Sequence, residues 1–190
     1  LGIQVNTSKY NRVLSISTTD PYFTEDGVSR SLFVSHRASK PYLTDSGNYS
    51  IGTSAFGISF GIPFAEIDTV FVSAAFEQTK INTGANIPTA YTSYISEFGT
   101  TSQAIPLSIG WARDGRDSAL IPSRGTYQQV SVELGTSLGD LQFYRAFYQH
   151  QYFFPVFKGN VIALNGEVGY GDTYNNKTFP ITKNYPLPSF

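Results

Sequence analysis

Apolar and polar residues alternate with a period of two along most of this chain. Leu1, Ile3 and Val5 point one way, and Gly2, Gln4 and Asn6 the other. Phe56, Ile58, Phe60 and Ile62 alternate with Gly57, Ser59 and Gly61, and Val70, Val72, Ala74 and Phe76 with Ser73, Ala75 and Glu77. The same alternation runs through Ile105–Ala112, Gln129–Leu134 and Ile162–Val168. Strict alternation is the signature of a strand with two unlike faces. It predicts roughly nine strands, at about 1–9, 11–20, 28–37, 50–62, 69–79, 105–114, 125–134, 141–154 and 160–171. Each reaches the about 9–11 residues that cross a bilayer at a tilt, against about 5–6 for a common soluble strand.

The connections fall into two alternating sets. One is compact and carries Pro or Asp with Gly: Asp20 to Gly27, Pro63 to Asp68, Asp114 to Gly125 and Pro155 to Gly159. The other varies more: Ala38 to Tyr49, the long Lys80 to Ala104, Gly135 to Asp140 and everything after Asp172. Short turns at one end and longer loops at the other are what outer-membrane barrels show. Tyr22, Phe23, Phe64, Tyr152, Phe153, Phe154 and Phe157 crowd strand ends, as in an interfacial aromatic girdle.

Composition separates a membrane barrel from a soluble one. A soluble sandwich or lipocalin-like barrel also alternates, but turns its apolar face to a packed core and dresses the other with Lys and Glu. Here the polar face is Ser, Gly, Asn, Gln and Thr, and charged residues make up only 14% of the chain, against about 25% in soluble domains. Small neutral residues suit a wet lumen. The fold class expected is therefore all-β, an antiparallel up-and-down transmembrane β-barrel, with a soluble β-sandwich as the alternative. There is no apolar run of about 18 residues that would make a transmembrane helix. The 17 Gly and 10 Pro favour turns over long helices.

A net charge of −1 and a pI near 6.1 provide no electrostatic footprint for nucleic acid. The chain has no Cys, which excludes disulfides and thiolate metal sites. It has no Met, and no signal peptide is visible at Leu1. Barrels of one bacterial chain have an even strand number, the count here is odd, and Asn175 to Phe190 has no strand pattern. The expectation is a barrel segment continuing beyond both ends, which would not fold alone because its open edges would lack partners in lipid.

Signals for enzyme chemistry are weak, and no cofactor is expected. His36 and His150 fall on separate strands and read as polar strand residues. No His cluster has metal-ligand spacing and no Gly-x-Ser-x-Gly elbow occurs. Asp114 and Asp117 sit in a Gly/Pro turn beside Arg113, Arg116 and Arg124, where turn capping and ion pairing account for them. Gly166, Gly169 and Gly171 read as kinks or lumen-clearing positions. Glu77, Glu133, Arg145 and Glu167 fall on the face assigned to the lumen, either as a wall for an inserted loop or as solvated filler. Asn48-Tyr49-Ser50 and Asn176-Lys177-Thr178 match the glycosylation pattern by chance.

Three segments carry a family resemblance. The first is the early turn Thr19-Asp20-Pro21-Tyr22-Phe23-Thr24-Glu25-Asp26-Gly27-Val28-Ser29. The second is Gly110-Trp111-Ala112-Arg113-Asp114-Gly115-Arg116-Asp117, then Pro122 and Gly125, an Asp-x-Arg-Asp-x-x-x-x-Pro-x-x-Gly turn. The third is Gly166 to Gly171 with the Pro- and Tyr-containing stretch behind it. In order and in loop length, almost the whole chain resembles the BamA-type outer-membrane assembly factors, the bacterial surface antigen family. The resemblance implies that residues 1–190 are part of one barrel domain, from about the third strand of sixteen onward, with periplasmic short turns and extracellular long loops. The family's Val-Arg-Gly-Phe/Tyr loop, its first and last strands and its POTRA domains would lie outside this segment. It also implies a non-enzymatic function, folding and inserting client outer-membrane proteins. Its partners would be those clients, accessory lipoproteins and outer-membrane lipid, with no nucleic acid. A weak seam, local membrane thinning and strand templating would do the work. A two-partner secretion transporter and a small stand-alone pore or adhesin are the alternatives.

Overall fold

Val, Ile, Phe, Tyr and Thr at alternate positions favour extended backbone, because branched and aromatic side chains pack well on a pleated surface. The computed structural model describes residues 1–40, 49–84, 89–157, 159–174 and 179–183. Asn48, residues 176–178 and the Pro-rich stretch from 184 lie outside the described residues. The strands are β1 (Gly2–Thr7), β2 (Asn11–Asp20), β3 (Ser29–Ser39), β4 (Ser50–Pro63), β5 (Asp68–Asn82), β6 (Thr101–Ala104), β7 (Pro106–Asp114), β8 (Gly125–Gly135), β9 (Phe143–Phe157) and β10 (Asn160–Thr173). They form one antiparallel sheet in chain order, with the short β6 pairing the end of β5 beside β7. This is the up-and-down all-β architecture expected from the alternation, with β1 and β10 at the two edges of the sheet.

The register sorts the two faces cleanly. Phe60, Val72, Ile109, Val132 and Ala146 lie in one cross-strand row on one face. Ser31, Ser59, Ser73, Ser108, Glu133 and Arg145 form a row on the other. The first face is bare: Phe56 is 57% and Ile109 58% exposed. A continuous apolar surface of this extent needs a cover other than water.

The second face is covered at the loop end. There Ile81, Tyr94, Phe98, Ala104, Leu141 and Phe143 form a buried cluster, with Ile51, Tyr91, Ile95 and Phe179 packed against it. Part of that cover was unexpected. The segment from Lys80 to Ala104, expected as a long connection, extends β5 to Asn82 and then holds the helix α1 (Thr89–Phe98) and β6. Tyr91, Tyr94, Ile95 and Phe98 recur at helical spacing, so one face of α1 meets the sheet. Gly99, at φ +78°, ends the helix and returns its N–H to the Ile95 carbonyl at 2.8 Å. Tyr94 Oη shares a buried 2.6 Å hydrogen bond with Ser102 Oγ on β6.

Two smaller differences have local causes. β9 begins at Phe143, two positions after Leu141, because Leu141 turns into the buried cluster and its N–H reaches the Gln103 carbonyl. It also runs through Pro155, expected in a turn, to Phe157. Pro155 has no N–H for the ladder, and the β9–β10 register shifts beside it, between Asn160 and Val161.

Candidate functional site

The covered face brings its charged residues together. Glu133 on β8 and Arg145 on β9 are register partners, and their side chains pair at 2.8 Å. A single 3-10 turn, Ile181–Lys183, lies over this face. Lys183 Nζ lies 2.5 Å from Glu77 Oε2 on β5 and 3.3 Å from Glu133 Oε1. The Arg145 guanidinium donates to the Lys183 carbonyl at 3.3 Å. Two carboxylates and two cations thus neutralise one another, and the Lys183 side chain is only 8% exposed. Phe179 meets Phe143 edge-on at 6.3 Å between ring centroids. It fits because Gly171 has no side chain: a Cβ there would stand 3.1 Å from the Phe179 ring.

Glu167 is not part of this group. It accepts from Gln149 Nε2 at 2.9 Å and Asn165 Nδ2 at 3.1 Å on exposed strand surface. Lys183 was not singled out from the sequence, since it sits in a Pro-rich stretch without periodicity. The available signal was indirect: Glu77 and Glu133 on one strand face with only Arg145 beside them left a carboxylate to balance. Asp68 was also missed; it accepts from Trp111 Nε1 at 3.1 Å and lies 3.8 Å from Arg113.

The β7–β8 turn is built from side-chain caps. Asp114 holds the Arg116 guanidinium through two bonds, 2.8 and 2.7 Å, and accepts its backbone N–H at 3.2 Å. The guanidinium also lies over Tyr127, 4.9 Å from the ring centroid. Asp117 accepts the N–H groups of Ser123 at 2.9 Å and Arg124 at 3.2 Å, as well as the Ser123 hydroxyl. Pro122 lies within the span that these bonds close, and Gly125 begins β8 at φ +108°. In the early turn, Asp20 accepts the Tyr22 N–H at 3.3 Å across Pro21, Phe23 N–H reaches the Val28 carbonyl, and Gly27 has φ +80°. Tyr22 is exposed, while Phe23 lies under the Arg30 guanidinium at 4.2 Å. Of the strand-end aromatics, Phe153 pairs with Gly125 on the covered-face register, and Tyr152 and Phe154 lie on the bare face.

The Ser123 hydroxyl and the two turn N–H groups pull the Asp117 carboxyl from its ordinary 3.8 down to about 2. A folded-state value below the unfolded one gives stability that is fully present above pH 3.8 and is lost as pH falls through about 2. A carbon-13 titration of this carboxyl in the folded protein is expected to have its midpoint near 2. Ser123→Ala should move the midpoint part of the way back, since it removes the leading cause. An unmoved midpoint would show that the hydroxyl does not carry the shift.

His36 and His150 are far apart on the bare face, bonded to Ser54 Oγ at 2.9 Å and Tyr148 Oη at 3.1 Å respectively. Among the described residues no three His, Asp or Glu side chains are grouped as metal ligands. Gly166 pairs with His150 on the bare face, whereas Gly169 and Gly171 pair with Phe147 and Arg145 on the covered one.

Comparison with known proteins agrees with this architecture. Residues 1–187 match the Omp85 superfamily domain. The outer membrane protein assembly factor BamA of Neisseria meningitidis serogroup B is 32% identical over 195 residues, spanning 97% of this chain and 24% of that protein. The crystal structure of BamA from Haemophilus ducreyi lacking POTRA domains 1–3 superposes with a TM-score of 0.83 at 19% identity, over 98% of this chain and 38% of that one. The chain thus spans well under half of either relative, and it has the fold of part of the BamA barrel. With nearly its whole length inside the matched domain, the chain belongs to the Omp85 superfamily.

Proposed function

We propose that this chain is part of the barrel wall of an outer-membrane protein assembly factor, one that folds and inserts other barrel proteins. The 32% identity to meningococcal BamA along 97% of the chain supports this reading above any other single observation. The family and the fold make it an integral outer-membrane protein. On this reading the bare apolar face meets lipid, and the covered face with Glu77, Glu133, Arg145 and Glu167 lines the lumen. The short turns, including those at Asp20–Gly27 and Asp114–Gly125, are periplasmic, and the loops extracellular. The work is non-enzymatic, and the partners are client barrel proteins, accessory lipoproteins and lipid.

The decisive experiment reconstitutes the natural full-length protein in liposomes and follows folding of an added client barrel by its heat-modifiable gel band. Faster client folding than in empty liposomes is expected. Equal rates would overturn the assembly reading. The lipid assignment of the bare face has its own check. Ile109→Arg, central in its apolar row, should cost about 2–4 kcal/mol of barrel stability in lipid. Ser108→Gln on the opposite face should cost less than about 1 kcal/mol, because that face is polar. Equal losses measured by urea unfolding in vesicles would contradict the assignment.

A further inference from the structure

We propose that the bare face of β2 to β5, at its loop end, binds a phosphorylated membrane lipid, with the headgroup between Arg12 and Lys80 and the acyl chains in the groove beneath. This rests on the reading of that face as lipid-exposed.

Cations on this face are treated differently at the two ends of the strands. At the turn end each has a carboxylate opposite it in register: Arg30 faces Asp20 and covers Phe23, and Arg113 faces Asp68 at 3.8 Å. At the loop end the register of the described strands supplies none. Arg12, Ala38, Gly52 and Lys80 form one cross-strand row. Arg12 and Lys80 are exposed, and neither enters an ion pair among the described residues. Strands are about 4.8 Å apart, so the two cations sit on Cα positions about 14 Å from each other. Ala38 and Gly52 leave the floor between them low. The His36 ring closes one side, 4.0 Å from where a Gly52 Cβ would be. The next row towards the membrane centre, Leu14, His36, Ser54 and Gln78, carries no carboxylate either.

Below that the surface becomes apolar. Ile16, Val34, Phe56 and Phe76 make the following row. Together with Leu14 they line a groove of about 270 Å³, its floor set by the Phe56 and Phe76 rings 5.5 Å apart. Cation, neutral polar and apolar layers thus follow one another along the strands. That is the order of phosphate, linkage and acyl chain in a membrane lipid standing in one leaflet. Free phosphate would use only the top layer, and a neutral lipid only the bottom one. Exposed Lys and Arg at a membrane surface attract anionic lipid additively.

The test uses the natural full-length protein in neutral detergent, with diphosphoryl lipid A and its dephosphorylated counterpart as probes and native mass spectrometry as the readout. Wild type is expected to retain the phosphorylated probe over the dephosphorylated one. Arg12→Gln/Lys80→Gln should weaken that retention roughly thirtyfold, while Arg30→Gln, at the other end, should leave it unchanged. Equal retention by the double variant, equal loss in Arg30→Gln, or indifference to the phosphates would each overturn the site. Every variant is first checked for a heat-modifiable band. A wild-type protein that needs no detergent and gives no such band would overturn the membrane reading itself. A heat-modifiable protein indifferent to Arg12 and Lys80 would overturn this site alone.

Discussion

Gly125→Val is expected to abolish the heat-modifiable folded band of the natural full-length protein, whereas Gly115→Ala, in the same turn, should keep it. Gly125 starts β8 with φ +108°, a region that a β-branched residue resists. Its missing Cβ matters as much as its backbone. A Cβ there would lie 2.2 Å from the Gly115 carbonyl oxygen and 2.9 Å from Arg116 Cα, both backbone atoms that no rotamer change can move. Strain of this kind costs about 1–3 kcal/mol and overpacking a further about 1–3 kcal/mol. The sum is a large part of the about 5–15 kcal/mol that holds a typical fold. At Gly115 a Cβ would meet only Thr126, at an ordinary 3.6 Å from its carbonyl oxygen. Asp117→Ala should fall between the two, since it removes the acceptor of three turn bonds but introduces no clash. Densitometry of unboiled samples gives the folded fraction. A Gly125→Val sample with the wild-type fraction would show that the β7–β8 turn does not need the close approach that the structure displays.

What could be read from the sequence depended on whether the cause was local. Strand alternation is local, because each side chain's face is set by its position in the strand, and the register of Phe60, Val72, Ile109 and Val132 follows from it. The turn at Asp114–Gly125 was legible for the same reason: Asp, Pro and Gly act on backbone a few residues away. The helix α1 was legible in principle, from Tyr91, Tyr94, Ile95 and Phe98 with Gly99 behind them. It was overlooked because the Gly and Pro around it read as loop. The extension of β9 through Pro155 was not legible, since it depends on a shift in register against β10 that leaves Val156 without an opposite number in the ladder. Nor was Lys183. Its position is determined by two carboxylates fifty and more residues upstream, and its neighbours in sequence carry no pattern.

That long-range contact gives the second large prediction. Removing both carboxylates, Glu77→Gln/Glu133→Gln, should release the 179–183 segment from the covered face. Lys183 and Arg145 would then lose the two carboxylates that now pair with them, and the Lys183 ammonium is nearly buried. Stranding one partner of a fully buried pair costs about 3–5 kcal/mol. Here the carboxylates retain some solvent contact, so about 2 kcal/mol is the appropriate scale. That corresponds to roughly a thirtyfold rise in the population of the undocked segment. Hydrogen exchange of the Lys183 amide reads this directly, because its N–H is bonded to the Pro180 carbonyl at 2.9 Å only while the turn is formed. Lys183→Met should loosen the segment less, because Arg145 stays to balance one carboxylate and a thioether can pack on Phe143, over whose ring the ammonium now lies at 5.2 Å. Glu167→Gln, whose bonds are all to exposed neutral amides, should leave the exchange unchanged. If the double variant exchanged no faster than Glu167→Gln, the segment would be held by contacts such as Phe179 against Phe143 and Gly171, and not by the two carboxylates.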